Sequence, residues 1–241
     1  MGRVVGRRDV MRRGAGRLLA CAIGVPALLS GCAASASRAA LGTPAEAITA
    51  TGFAALSRGG TVRGAAVGFD AEHVMTCAHL LDSDGATLRR ADGRVVEASL
   101  AGRSRRMDLA LLRVPSGFLA APEAATAPPR AGEAVWAAGA PGLGHAVAEG
   151  RVEAPDAEMP GFGRGFTARM GALMGYSGGP VVDGDGRLMG LTTALPQPGA
   201  AGALAFLLGA DLDGLARGDR QVFVLAIHRA AAEAERLLAY G

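Results

Sequence analysis

The chain has 241 residues, half of them apolar, with 37 glycines and only 4% aromatics. That suits one globular unit or two small lobes sharing a core, and it leans toward turn-rich β structure. The formal charge of +3 is concentrated in residues 1–31, which carry six Arg and one Asp; the remainder holds 19 Arg against 21 acidic residues, net −2, which excludes a nucleic-acid footprint.

In chain order, a basic stretch, "MGRVVGRRDVMRRGAGR", precedes an apolar one, "LLACAIGVPALLSG". The apolar run is too short, and too interrupted by Gly24 and Pro26, for a membrane span. Residues 1–31 read as a signal peptide. Arg7-Arg8, with Val10, Met11 and Arg12, resembles a twin-arginine export signal, and Leu29-Ser30-Gly31-Cys32 resembles the lipobox of bacterial lipoproteins. The resemblance implies that Cys32 is acylated and anchors the mature protein to a membrane of the periplasm or cell envelope. An ordinary cleaved signal with a chance cysteine is the alternative. Cys21 leaves with the signal, so Cys77 remains as the one free thiol and the domain has no internal disulfide.

Residues 32–47, "CAASASRAALGTPAEA", read as a tether before a domain over 48–241. From Ile48 short apolar runs alternate with turn signals, and Asp-Gly pairs at 92–93, 183–184 and 185–186 mark hairpin turns. A first β-rich half spans about 48–115 and a Pro/Ala linker about 116–132. The second half spans about 133–215, with its last strand at "GALAFLL". Val224, Ile227, Ala231, Ala234 and Leu238 recur at helical spacing, which predicts a C-terminal amphipathic helix over about 220–240.

The stretch "GYSGGP", residues 175–180, sets Ser177 among three glycines and a proline. A serine hydroxyl needs a base, usually His, and an acid that holds the His in the right tautomer. His79 stands at the end of the apolar strand "VMTCAH". Asp108 stands just before the apolar run "LALL", where its carboxylate enters a shielded region. Asp82, Asp84 and Asp92 fall in turn sequences, and His73, His145 and His228 read as surface or satisfied core residues.

"TCAHLL", "DLALLRV" and "GYSGGPVVDGDGRLMGL" each resemble a motif of trypsin-like serine peptidases, in order. "GAPGLGHAVAEGRVEA" resembles the Gly-Pro-rich loop and following strand of the bacterial HtrA/Deg branch. The resemblance implies an all-β fold of two six-stranded antiparallel barrels with the site between them. It assigns His79 as general base and then acid, Asp108 as the orienting carboxylate and Ser177 as the nucleophile. The N–H groups of Gly175 and Ser177 form the oxyanion hole. Two departures stand out: Cys77 where the family has Ala or another small residue, and Tyr176 where it has Asp or Asn. A PDZ domain follows the protease in most HtrA-like proteins; the residues after "GALAFLL" are too few for one, so that mode of regulation does not carry over.

By the same resemblance Gly171 and Ala172 line the base of the specificity pocket, with Met174 at its edge and Gly190–Leu195 as one wall. No carboxylate occurs between Phe162 and Val182, so a small or medium apolar side chain is expected before the cut bond rather than Arg or Lys. Asp211 and Asp213 are the distant acids that could reach in. The expected partners are protein or peptide substrates, with no cofactor and no metal. Three other readings are weighed. A G-x-S-x-G elbow requires a helix after the serine and a later His, but Gly-Gly-Pro and a hairpin pattern follow, and His228 alone comes later. A zinc site from His73, Cys77 and His79 lacks a fourth ligand. A protease-like fold kept as a binding module is set against the presence of all three catalytic residue types.

Overall fold

The computed structural model describes residues 42–82, 85–142, 144–172, 174–194 and 220–240. The segments expected to form the signal peptide, Cys32, the strand "GALAFLL", Leu195, Asp211 and Asp213 lie outside these residues. A short helix α1 (Glu46–Thr51) leads into six strands: β1 (Phe53–Arg58), β2 (Thr61–Gly68), β3 (His73–Thr76), β4 (Gly85–Arg90), β5 (Val95–Arg103) and β6 (Ala110–Arg113). They close antiparallel in the order β1-β2-β3-β6-β5-β4. The second barrel uses β7 (Ala134–Gly139), β8 (Ala146–Met159), β9 (Gly163–Met170), β10 (Pro180–Val182), β11 (Leu188–Ala194) and β12 (Arg220–Ala226), in the order β10-β11-β12-β9-β8-β7. The second order is the first one repeated, a symmetry that no short sequence period announces. Helix α2 (Ile227–Tyr240) closes the chain. The expected all-β architecture of two six-stranded barrels is therefore observed, and closure leaves neither sheet an open edge.

With so few aromatics the barrels are filled by aliphatic side chains. Leu56, Val74, Leu88, Leu112 and Phe118 fill the first, and Val135, Phe166, Met170, Val222 and Val224 the second. A third apolar cluster joins them: Val67, Met75 and Leu111 from the first barrel meet Leu191 and Leu225 from the second, with Ile227, Ala234 and Leu237 of α2. Burial of this layer fuses the barrels through the hydrophobic effect.

Two boundaries and one helix face differ from expectation. Residues 220–226 form β12, not the first turns of the helix: Val222 pairs with Ala168 and Leu225 with Leu191, and residues 222–226 are all buried. A β-branched and aromatic run enclosed on both faces favours a strand. The inward face of α2 is accordingly Ile227, Ala230, Ala234 and Leu237, while Leu238 is exposed. At the other end, Ala45 and Ile48 are buried in the core, so packed structure begins inside the segment expected to be a tether. The Asp-Gly signals do mark turns: Gly93 and Gly186 have φ of +87° and +80°. The expected linker carries one isolated bridge, Ala124 to Leu188.

One charged side chain faces inward on α2. Glu233 is 5% exposed. It accepts hydrogen bonds from Arg236 Nε and Nη2 (2.9 and 2.7 Å) and from Ser104 Oγ (2.6 Å). Arg236 above all, with Ser104, holds its carboxyl down to about 2 from an ordinary 4.5, against the opposing effect of burial. A depressed folded-state pKa contributes stability that is complete above the unfolded value and lost on acidification. We expect the stability advantage of wild type over Glu233→Gln in urea unfolding to shrink as pH falls from 4.5 toward 2. The change should be on the order of 2 kcal/mol; an advantage constant across that window would contradict it.

Candidate active site

β3 and β6 pair with Thr76 opposite Ala110. Continuing that register sets residue 108 beside residues 78 and 79. β3 ends there: Cys77 is extended (φ −75°, ψ 136°) and a single 3₁₀ turn, Ala78–Leu80, follows. The turn lifts the His79 ring to the surface of the barrel, where its side chain is 28% exposed, while Asp108 stays 7% exposed. The two meet at two points. His79 N–H donates to Asp108 Oδ1 at 2.9 Å, and His79 Nδ1 lies 2.6 Å from Asp108 Oδ2. An ionised carboxylate only accepts, so the contact assigns the proton to Nδ1 and makes Nε2 the basic nitrogen of the neutral ring.

Ser177 comes from the other barrel, on the connection between β9 and β10. The Ser177 carbonyl accepts the Ala65 N–H of β2 at 2.8 Å, across the seam. Gly178 N–H donates to Thr192 O (2.7 Å), and Thr192 N–H returns to Gly179 O (2.9 Å). Gly178 has φ +78°, and a Cβ there would fall 2.2 Å from Ala65 O, 2.6 Å from Thr76 Oγ1 and 3.1 Å from Cys77 N. The serine loop thus lies against the end of β3, two residues from His79. Ser177 is half-buried. Among the described residues, the Gly175 and Ser177 amides have no acceptor, whereas Gly178 and Gly179 donate to Thr192 and Tyr176 carbonyls. Gly175 itself sits at φ +97°, with its carbonyl held by Ala140 N–H at 2.9 Å.

The two departures have structural roles. Tyr176 is fully buried within the second barrel's core. A Cβ on Gly139 would lie 2.4 Å from the Tyr176 Cγ, so that glycine makes the room the ring occupies. Tyr176 anchors the serine loop by apolar burial, in the place of a short acid. Cys77 is also fully buried, with Sγ 3.3 Å from Thr192 O. Burial first, then the neighbouring Asp108 charge, pushes its thiol well above the ordinary value, against the opposing Gly178 N–H. It is a neutral packing residue rather than a nucleophile.

Cys77, His79 and Asp108 bring their donor atoms within 4.8 Å of one another, the one such group among the described residues. His79 and Asp108 already satisfy each other, so the group is a hydrogen-bonded cluster. His73 is not part of it; its Nδ1 pairs with Asp70 at 2.9 Å. His145 meets the Phe53 ring edge-on at 6.2 Å, and His228 is exposed. Of the residues expected at the specificity pocket, Gly171 is half-buried, Ala172 is buried in the barrel core and Met174 is 51% exposed. Gly190–Ala194 lies within β11.

Paired antiparallel barrels, with a His–Asp pair from one beside a glycine-rich serine loop from the other, define the chymotrypsin-like class. The family model described as the trypsin-like peptidase domain matches residues 50–191, over half of the chain. The chain belongs to that family of trypsin-like peptidases. A curated relative from Haemophilus influenzae, "Probable periplasmic serine protease do/HhoA-like", is 31% identical over 152 residues, covering 56% of this chain and 31% of the relative. The chain therefore spans about a third of that relative's length. Among solved structures, Rv3671c from M. tuberculosis H37Rv superposes with a TM-score of 0.63 at 21% identity, over 85% of this chain and 96% of that one. The serine endoprotease from Yersinia pestis gives 0.63 at 23%, over 82% and 66%. The HtrA-type protease AlgW with a tripeptide gives 0.65 at 23%, over 82% and 64%. These likenesses establish the fold.

Gly178 lies where the two barrels meet too closely for a side chain. Gly178→Ala forces a left-handed residue and a clash with β2 backbone. It should lower the unfolding free energy by about 2 kcal/mol or more. Urea denaturation measures this, and a variant as stable as wild type would show that the seam is not tight.

Proposed function

We propose that the chain is an exported serine endopeptidase that cuts peptide bonds through Ser177, His79 and Asp108. The observation that carries this reading is the two-point grip of Asp108 on His79 beside the serine loop, which orients the ring so that Nε2 is the nitrogen that serves as base. In the first half-reaction Nε2 takes the Ser177 proton as Oγ attacks the scissile carbonyl carbon. Negative charge grows on the carbonyl oxygen, where the Gly175 and Ser177 amides are available to donate. The imidazolium then gives its proton to the leaving amine, the C–N bond breaks, and Ser177 holds an ester of the acyl half. Water repeats the sequence with His79 again as base, releasing the acid and restoring the serine. Asp108 keeps its charge throughout and stabilises the imidazolium.

The apolar β11 strand and the lack of carboxylates between Phe162 and Val182 support a preference for Ala, Val or Leu before the cut bond. A substrate cation there would lack a partner, at a cost of several kcal/mol if it were buried. Peptide substrates are also supported by the tripeptide on the HtrA-type relative. Export to the periplasm is supported by the name of the Haemophilus relative and by the basic-then-apolar N-terminal order. We further propose a lipid anchor on Cys32, supported by the Leu29–Cys32 motif alone.

Two measurements test these readings. Purified wild type should cleave matched peptides fastest with Ala, Val or Leu before the cut. Ser177→Ala and His79→Ala should remain folded and lose roughly 1,000-fold or more in kcat. Turnover at the wild-type rate by either variant would remove the triad, and wild type without turnover would leave the binding module. Mass spectrometry of the mature N-terminus should find an acylated Cys32; an unmodified residue 32 would remove the anchor.

A further inference from the structure

Asp108 sits in a loop, residues 104–109, that joins β5 to β6. The loop is closed by Ser104 N–H donating to Leu109 O at 2.9 Å. Inside it, Ser104 Oγ accepts the Arg106 N–H at 3.0 Å and the Met107 N–H at 3.3 Å. The same hydroxyl donates its proton to Glu233 Oε1 at 2.6 Å. Ser104 and Glu233 are both buried, 8% and 5% exposed. A hydroxyl has one proton and two lone pairs, and here all three are used. Only when the proton points at Glu233 do both lone pairs face the loop amides. Glu233 therefore sets the rotor that fixes the backbone immediately before Asp108.

Glu233 is itself held by both the Nε and Nη2 of Arg236, one turn further along α2. The helix packs on β5, β6, β11 and β12, and a Cβ on Gly102 of β5 would come within 3.0 Å of Leu237 Cβ. Met107, adjacent to Asp108, closes the loop against the second barrel, where a Cβ on Gly163 would lie 2.9 Å from its own Cβ. The shape of the loop thus depends on an element more than a hundred residues away in sequence.

We infer that Ser104 and Glu233 are positioning residues for Asp108, so that docking of the C-terminal helix sets the orientation of His79. Neither touches the reacting atoms; both act through the loop. The inference rests on the triad proposed above. Ordering the acid from a separate element is consistent with the cost of small displacements, since about 1 Å of misplacement can lose about 100-fold in rate.

The test compares the full chain with Glu233→Ala, Ser104→Ala and Ser104→Thr, each confirmed folded by circular dichroism. Two readings are taken: kcat and KM on one peptide, and the far-downfield proton resonance of His79 Nδ1–H, which needs no turnover. In both alanine variants kcat should fall about tenfold with KM within about twofold, and the resonance should shift or broaden. Ser104→Thr, which keeps the hydroxyl, should restore both. Should the alanine variants fail to fold, Ser104→Cys, close in volume but poor as donor and acceptor, takes their place with the same expected losses. Folded variants with an unmoved resonance and wild-type kcat overturn the inference. Failure of the triad reading looks different: wild type without turnover, or Ser177→Ala with it. In that case the resonance alone decides whether Glu233 and Ser104 position Asp108.

Discussion

One backbone hydrogen bond, Ala65 N–H to the Ser177 carbonyl, fixes the relation on which the site depends. It ties the serine loop of the second barrel to a strand of the first. Its net worth as a single bond is only about 1 kcal/mol. Its geometric effect is larger, because Gly178 and Thr76 are packed so closely around it that no side chain fits between them. Thr192 completes the seam, taking the Gly178 N–H and the Cys77 thiol on one carbonyl. The place of Ser177 relative to His79 is thus set by main chain, which tolerates far less drift than side-chain contact.

Two buried carboxylates bracket one short loop. Asp108 is satisfied by a backbone N–H and an imidazole, Glu233 by a hydroxyl and a guanidinium. A buried anion is costly unless its lone pairs are filled by good donors, and both sets of partners meet that condition. The buried thiol of Cys77 stands beside the Asp108 charge without competing with it, because the same burial and charge keep it protonated.

Much of the fold was legible because its signals are local. Asp-Gly pairs marked hairpin turns and short apolar runs marked two β-rich halves, while the two six-stranded barrels followed from the resemblance to trypsin-like peptidases. Ser177, His79 and Asp108 stood out because each sits where an apolar run meets a turn, and the structure sets His79 against Asp108 and the serine loop beside them. What escaped depended on long-range packing. Val224 and Ile227 fit a helical period, yet no Gly or Pro separates β12 from α2, and only pairing with β9 and β11 makes the first a strand. Glu233 lies off the apolar stripe of the C-terminal helix; its burial is decided by Ser104, 129 residues earlier. Ala172 read as pocket floor, but a small apolar residue beside a barrel packs equally well inward, and its methyl lies in the core.

The division of the site between barrels also governs when the proposed enzyme can act. His79 and Asp108 belong to the half of the domain synthesised first, and Ser177 arrives about seventy residues after Asp108. A chain with only its first barrel complete has a base and no nucleophile. A chain with both barrels formed but undocked has the nucleophile out of reach. Catalytic competence is then a property of finished tertiary structure, and a chain caught part-way through its folding lacks the arrangement that the proposed chemistry needs.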